Sequence, residues 1–114
     1  MIIDVRLSYR PVCPLARLEP DRGVAALVDG VQVALFRTSD DELFAVGNQD
    51  PISHAYVMSR GIVGSRGDAP TVASPLHKQV YDLRTGRCLD VPDVSLPVYR
   101  VRVTDEAVVE VAVD

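Results

Sequence analysis

Val24-Ala25-Ala26-Leu27-Val28-Asp29-Gly30-Val31-Gln32-Val33-Ala34-Leu35-Phe36-Arg37 reads as two apolar strands folded about a two-residue turn. Asp-Gly suits a tight hairpin because both central positions of a type I′ turn need positive φ. The flanks are rich in Val, Leu and Phe, side chains that fit a pleated, half-buried surface. A hairpin here commits the chain to antiparallel β structure.

Outward from that hairpin the pattern continues. Residues 38–42 form a polar turn, and 43–46 a short apolar strand. Near the end, Tyr99, Val101 and Val103 alternate with Arg100 and Arg102. That period of two predicts apolar side chains inward and arginines in water. Asp105-Glu106 then turns the chain into 108–113, which completes a closing hairpin. No segment keeps a helical period over three turns. One helical turn is expected within 51–58, with Asp50 as its cap and Pro51 at its first position. From Gly47 to Pro75, glycine and proline recur, so the middle reads as loop-rich. Loops held on a rigid sheet are where binding residues gather. The fold class expected is all-β, as one domain over residues 1–114.

Composition narrows the function. The chain has 114 residues, 47% of them apolar, enough for a real core without staples. A formal net charge of −4 argues against nucleic acid, whose phosphates need a basic face. No apolar run approaches the roughly 20 residues that span a bilayer. The first residues, MIIDVRLSYR, lack the apolar core of a signal peptide. A cytoplasmic location, with no membrane partner, is therefore expected. Cys13 and Cys88 are expected as free thiols.

Local chemistry gives little. Cys13, Cys88, His54 and His77 are nominally a zinc set, but none are paired at ligand spacing. Neither cysteine has an adjacent base to make it a nucleophile. The glycines of Ser59-Arg60-Gly61-Ile62-Val63-Gly64-Ser65-Arg66-Gly67 match no phosphate loop, and they read as turn residues. Arg60 and Arg66 are either solvated or anchors of a partner surface.

Two short segments carry more. Asn48-Gln49-Asp50 and Ser74-Pro75-Leu76-His77 resemble the two loops of a Rieske domain, one reading C-x-H and the other C-x-x-H. In that register Asn48 and Ser74 stand at cysteine positions, Asp50 at a histidine position, and His77 keeps the second histidine. Leu43-Phe44-Ala45-Val46 before the first loop, and Val80-Tyr81-Asp82-Leu83-Arg84-Thr85-Gly86 after the second, are also Rieske-like. The set lacks thiolate, which iron–sulfur clusters need.

This departure resembles one family, the small subunit of NAD(P)H-dependent nitrite reductase. The likeness runs from about residue 12 to residue 113. It is strongest at Ala34-Leu35-Phe36-Arg37, Gly47-Asn48-Gln49-Asp50-Pro51, Ser59-Arg60-Gly61-Ile62-Val63-Gly64 and Ser74-Pro75-Leu76-His77-Lys78-Gln79. It implies a Rieske-like β-sandwich or barrel with a small loop-rich subdomain formerly used for cluster binding. It implies a chain with no cofactor and no catalysis of its own. The partner implied is the large subunit, with FAD, an iron–sulfur cluster and siroheme, reducing nitrite to ammonium in nitrate assimilation or detoxification. The rival readings are an accessory module of another oxidoreductase, a true Rieske ferredoxin and a free-standing binding barrel.

The resemblance also sets expectations for the site. Asn48, Asp50, Ser74 and His77 should converge on one small volume at one end of the domain, where Asp50 and His77 can pair. The same end, with residues 59–64 beside it, should meet the partner through Arg60, His77 and Lys78.

Overall fold

The computed structural model describes residues 8–114, so the expectation of a leader-free start falls largely outside the described residues. Nine strands form among them: β1 Arg10–Pro14, β2 Gly23–Val28, β3 Val31–Arg37, β4 Leu43–Gly47, β5 Ile62–Arg66, β6 Ala69–Ala73, β7 Val80–Asp82, β8 Val98–Val103 and β9 Val108–Ala112. They make a six-stranded sheet, ordered β1-β9-β8-β4-β3-β2, and a three-stranded sheet, β5-β6-β7. Every strand pair is antiparallel. The outer strands β1 and β2 approach each other, so the larger sheet curls into a nearly closed barrel. Proline is tolerated in β1 because it is an edge strand, and a bulge between Pro11 and Cys13 bends it.

The β2–β3 hairpin forms as its turn chemistry requires. Val28 pairs with Val31, and Asp29 and Gly30 take φ of 47° and 82°. β3 is buried on both faces, which is why Val33-Ala34-Leu35-Phe36 is an unbroken apolar run. Val33 and Leu35 join Leu18, Val28, Ala45, Val109 and Val111 in the barrel interior. Ala34 and Phe36 face the other way and pack with Val46, Met58, Val72, Tyr81, Leu83 and Leu96 beneath the small sheet. The β3–β4 pair is thus a wall shared by two cores. Gly23 lets β2 pass close to the 3₁₀ turn Met58–Arg60. A Cβ at this position would lie 2.2 Å from the Ser59 carbonyl oxygen.

Two local expectations need correction, and one holds. The loop-rich middle contains a hairpin, β5–β6, in which Arg66 pairs with Ala69 and Gly67 opens the turn at φ 61°. The signal was Gly67-Asp68, a permitted hairpin turn masked by the small residues around it. The single helical turn expected after Asp50 does form, and it ends where His54 takes φ of 67° and leaves the helical path. The inward set of β8 stops at Val101. Val103 is 40% exposed, because β4 pairs with β8 only at Val98 and Tyr99 and does not cover its far end.

The shared wall makes a direct prediction. Phe36→Ala should lower the unfolding free energy by about 3–5 kcal/mol in denaturant titration, since a large buried ring leaves a cavity in a core that both sheets enclose. Leu27→Ala, at a position 73% exposed, should change it by less than about 0.5 kcal/mol. Similar losses for the two variants would contradict the assignment of the wall.

Candidate functional site

The loops that follow β4 and β6 meet at one end of the small sheet. Their junction is a fully buried carboxylate. Asp50 has no exposed surface, and Ser74 donates its hydroxyl to Asp50 Oδ2 at 2.5 Å. Asp50 Oδ1 accepts the backbone N–H groups of Ile52 at 2.8 Å and Ser53 at 3.3 Å. This is N-terminal capping geometry, which the Asp-Pro step sets up locally. Burial pushes the Asp50 pKa up. The donors on Ser74, Ile52 and Ser53 more than offset that and hold it below the usual carboxylate range.

Each loop is braced around this contact. The Ala55 carbonyl accepts the Asp50 N–H at 2.8 Å, and the Asp50 carbonyl accepts the His54 N–H at 2.8 Å. In the second loop, Ser74 and Gln79 join through their backbones at 2.9 Å. Asn48 is buried and ties three segments together. Its Oδ1 accepts the Ser59 N–H at 2.8 Å, and its Nδ2 donates to the Tyr56 carbonyl and to Gln32 Oε1.

The structure therefore gathers Asn48, Asp50 and Ser74 at one end. His77 is not among them. It is exposed, as are Lys78 and Arg60. The Asp50–His77 pair does not form: Lys78 N–H bonds back to the Ser74 carbonyl at 3.0 Å, and the resulting turn leaves His77 at the surface. Asp50 takes the nearer partner, Ser74, instead.

Sequence reasoning had Tyr81 only as part of a strand. It is wholly buried in β7, and its pKa is pushed up to about 12 by burial and by the charges of Asp50 and Cys88. Among the described residues, the Tyr81 hydroxyl and Gln79 Oε1 are the buried side-chain atoms without a hydrogen-bond partner. Two unpartnered polar groups beside the acid–hydroxyl contact are unusual, because buried polar atoms are normally satisfied. Nothing in the sequence pattern marks them, since pairing within a loop end depends on side-chain reach. Cys13 and Cys88 are free and half-buried on separate elements. Burial raises the Cys13 thiol against the charge of Arg17, the opposite of what a nucleophile needs.

Comparison with known proteins gives this end a family context. The model of the Rieske-like [2Fe-2S] domain matches residues 8–112. The nitrite reductase (NADH) small subunit of Salmonella typhimurium is 39% identical over 102 residues, 89% of this chain and 94% of that one. A crystal structure described as an NADH-dependent nitrite reductase small subunit, from Mycobacterium tuberculosis, superposes with a TM-score of 0.91 at 52% identity, covering 96% of both chains. A segment of the nitrite reductase [NAD(P)H] large subunit of Klebsiella oxytoca is 37% identical over 95 residues, 83% of this chain but 10% of that protein. The ferredoxin of carbazole 1,9a-dioxygenase from Nocardioides aromaticivorans superposes at a TM-score of 0.79 and 27% identity, covering 92% of this chain and 97% of that one.

These matches overturn the expectation of a chain without a cofactor, because the matched domain is a 2Fe–2S domain and a ferredoxin shares its structure. The side chains at the loop ends nonetheless fit that group poorly. Positions 48 and 74 offer hard, uncharged oxygen or nitrogen where a cluster takes soft anionic sulfur. The Asp50 carboxylate is already engaged by Ser74, Ile52 and Ser53. The Tyr81 hydroxyl is a donor available to an added group, but one hydroxyl does not hold a cluster.

Held below its ordinary pKa in the folded protein, Asp50 contributes stability that is present above the usual carboxylate range. That contribution fades as pH falls through the folded value. Asp50→Asn should cost about 1–3 kcal/mol at neutral pH, through weakened bonds to Ser74, Ile52 and Ser53. The gap between wild type and variant should narrow as pH drops below about 4. Denaturant titrations across pH check this, and a gap constant with pH would contradict it.

Proposed function

The chain belongs to the Rieske-like [2Fe-2S] domain family and, within it, to the small subunits of NADH nitrite reductase, and from that premise we propose that it acts by docking on the nitrite reductase large subunit and supporting the assembled enzyme, without turning over nitrite itself. The observation that carries this reading is the extent of the likeness: almost the whole of this chain matches almost the whole of a small subunit. The Klebsiella oxytoca relative adds a second support, since there the homologous segment is covalently part of a large subunit. A domain that works against a partner loses nothing by being tethered to it.

The reaction served is reduction of nitrite to ammonium with NADH, in assimilation of nitrate. The location is the cytoplasm, where NADH is available. The loop end is the docking face. The Asp50–Ser74 contact and the Asn48 bonds hold its backbone rigid, and rigid loops lose little entropy on binding. Arg60, His77 and Lys78 are exposed, and Arg60 and Lys78 carry positive charge on a chain whose net charge is −4. Exposed charges of this kind steer and register an encounter more than they add affinity.

The test is co-purification of the tagged chain with the large subunit, followed by titration of the purified pair. Wild type should bind. Lys78→Glu should weaken binding about tenfold at low ionic strength and less at high salt, as screening removes the steering charge. Failure of the wild-type chain to bind the large subunit would overturn the proposal. Unchanged affinity of Lys78→Glu would remove Lys78 from the face.

A further inference from the structure

Beside the first loop lies a groove of about 490 Å³ whose lining contains no charged residue. A quarter of the chain is Asp, Glu, Lys or Arg, so an uncharged surface hollow stands out from its surroundings. Its walls come from the β2–β3 hairpin, the loop after β4 and the start of β8. They include Leu27, Gln32, Gln49, Pro51, Tyr56 and Tyr99. Leu27 is 73% exposed and Tyr56 54% exposed, large apolar and aromatic side chains that folding leaves in water. Depletion of charge with enrichment of aromatic residues marks the buried centre of a protein interface, whereas the rim keeps the charges.

We infer that this groove receives an uncharged segment of the nitrite reductase large subunit that offers both hydrogen-bonding and apolar side chains, and is the centre of the docking face at the loop end. The inference rests on the functional reading above and names its surface. Two observations select the large subunit as occupant. The groove shares Asn48, Gln49 and Pro51 with the first loop, so it is continuous with the loop end. In the Klebsiella oxytoca relative the homologous segment accounts for 10% of a nitrite reductase large subunit, so domain and partner are held there in one chain.

The floor of the groove is stiff. Asn48 donates to Gln32 and to the Tyr56 carbonyl, and Gln49 pairs with Tyr56 across an isolated bridge. The hollow is therefore formed before a partner arrives, and uncharged side chains on the partner, apolar against Leu27 and hydrogen-bonding against Gln32 and Gln49, are the chemistry that fills it. A charge brought into it would meet no opposite charge and would lose its water.

The experiment uses the full chain and the purified large subunit. Leu27→Glu and Tyr56→Ser alter exposed side chains, so both should fold, as shown by unchanged thermal unfolding. Each should weaken the complex at least about tenfold, and this loss should persist at high salt, unlike the effect of Lys78→Glu. Val103→Glu, at the far end of β8, is the control and should leave affinity unchanged. If wild type binds and both folded groove variants bind equally well, the groove is not the interface, while the functional reading stands. Equal weakening by Val103→Glu would also overturn the inference. If wild type does not bind, the functional reading fails first.

Discussion

The loop end of this molecule depends on one buried carboxylate. Asp50 is fully buried and forms no ion pair among the described residues, so hydrogen bonds carry its charge there. That requirement places the two loops. The backbone after Asp50 must turn so that Ile52 and Ser53 point their N–H groups back, and the second loop must bring Ser74 within reach. A buried charge stripped of its donors is among the costlier faults a protein can carry, so the constraint is stiff. The β3–β4 wall supports it from below, because β4 delivers the first loop directly from the shared core.

Features set by local chemistry were legible in the sequence. Asp29-Gly30 specified a hairpin and its register. Asp50-Pro51 specified a capped turn, and Asp50 caps it. The closing hairpin expected at 108–113 forms, as β8 paired with β9. Features set by tertiary reach were not. The β5–β6 hairpin hides among glycines and polar residues, because its strands have little apolar pattern of their own and are held by the neighbouring β7. The Asp50–His77 pair was a plausible match of charges. It gave way to a five-residue backbone turn, Ser74 to Lys78, that leaves His77 at the surface and Ser74 next to the carboxylate. The unpartnered Tyr81 hydroxyl could not be read at all, since it follows from how β7 packs against both loops.

The family relation and the site geometry answer different questions. The relation ties the chain to 2Fe–2S domains and to nitrite reductase small subunits over nearly its full length. The geometry shows two loops tied by an acid, a hydroxyl and an amide, with an uncharged hollow beside the first of them and His77 and Lys78 exposed on the second. A rigid, pre-formed end with an uncharged centre suits a docking surface.

Amide hydrogen exchange of the chain, free and bound to the purified large subunit, tests the central claim most directly. The account predicts that added protection falls on residues 48–56 and 74–79 and on the β2–β3 turn, with the β6 and β9 core slow in both states. Protection confined to β1, β9 or the far end of β8, with those loops unchanged, would contradict it.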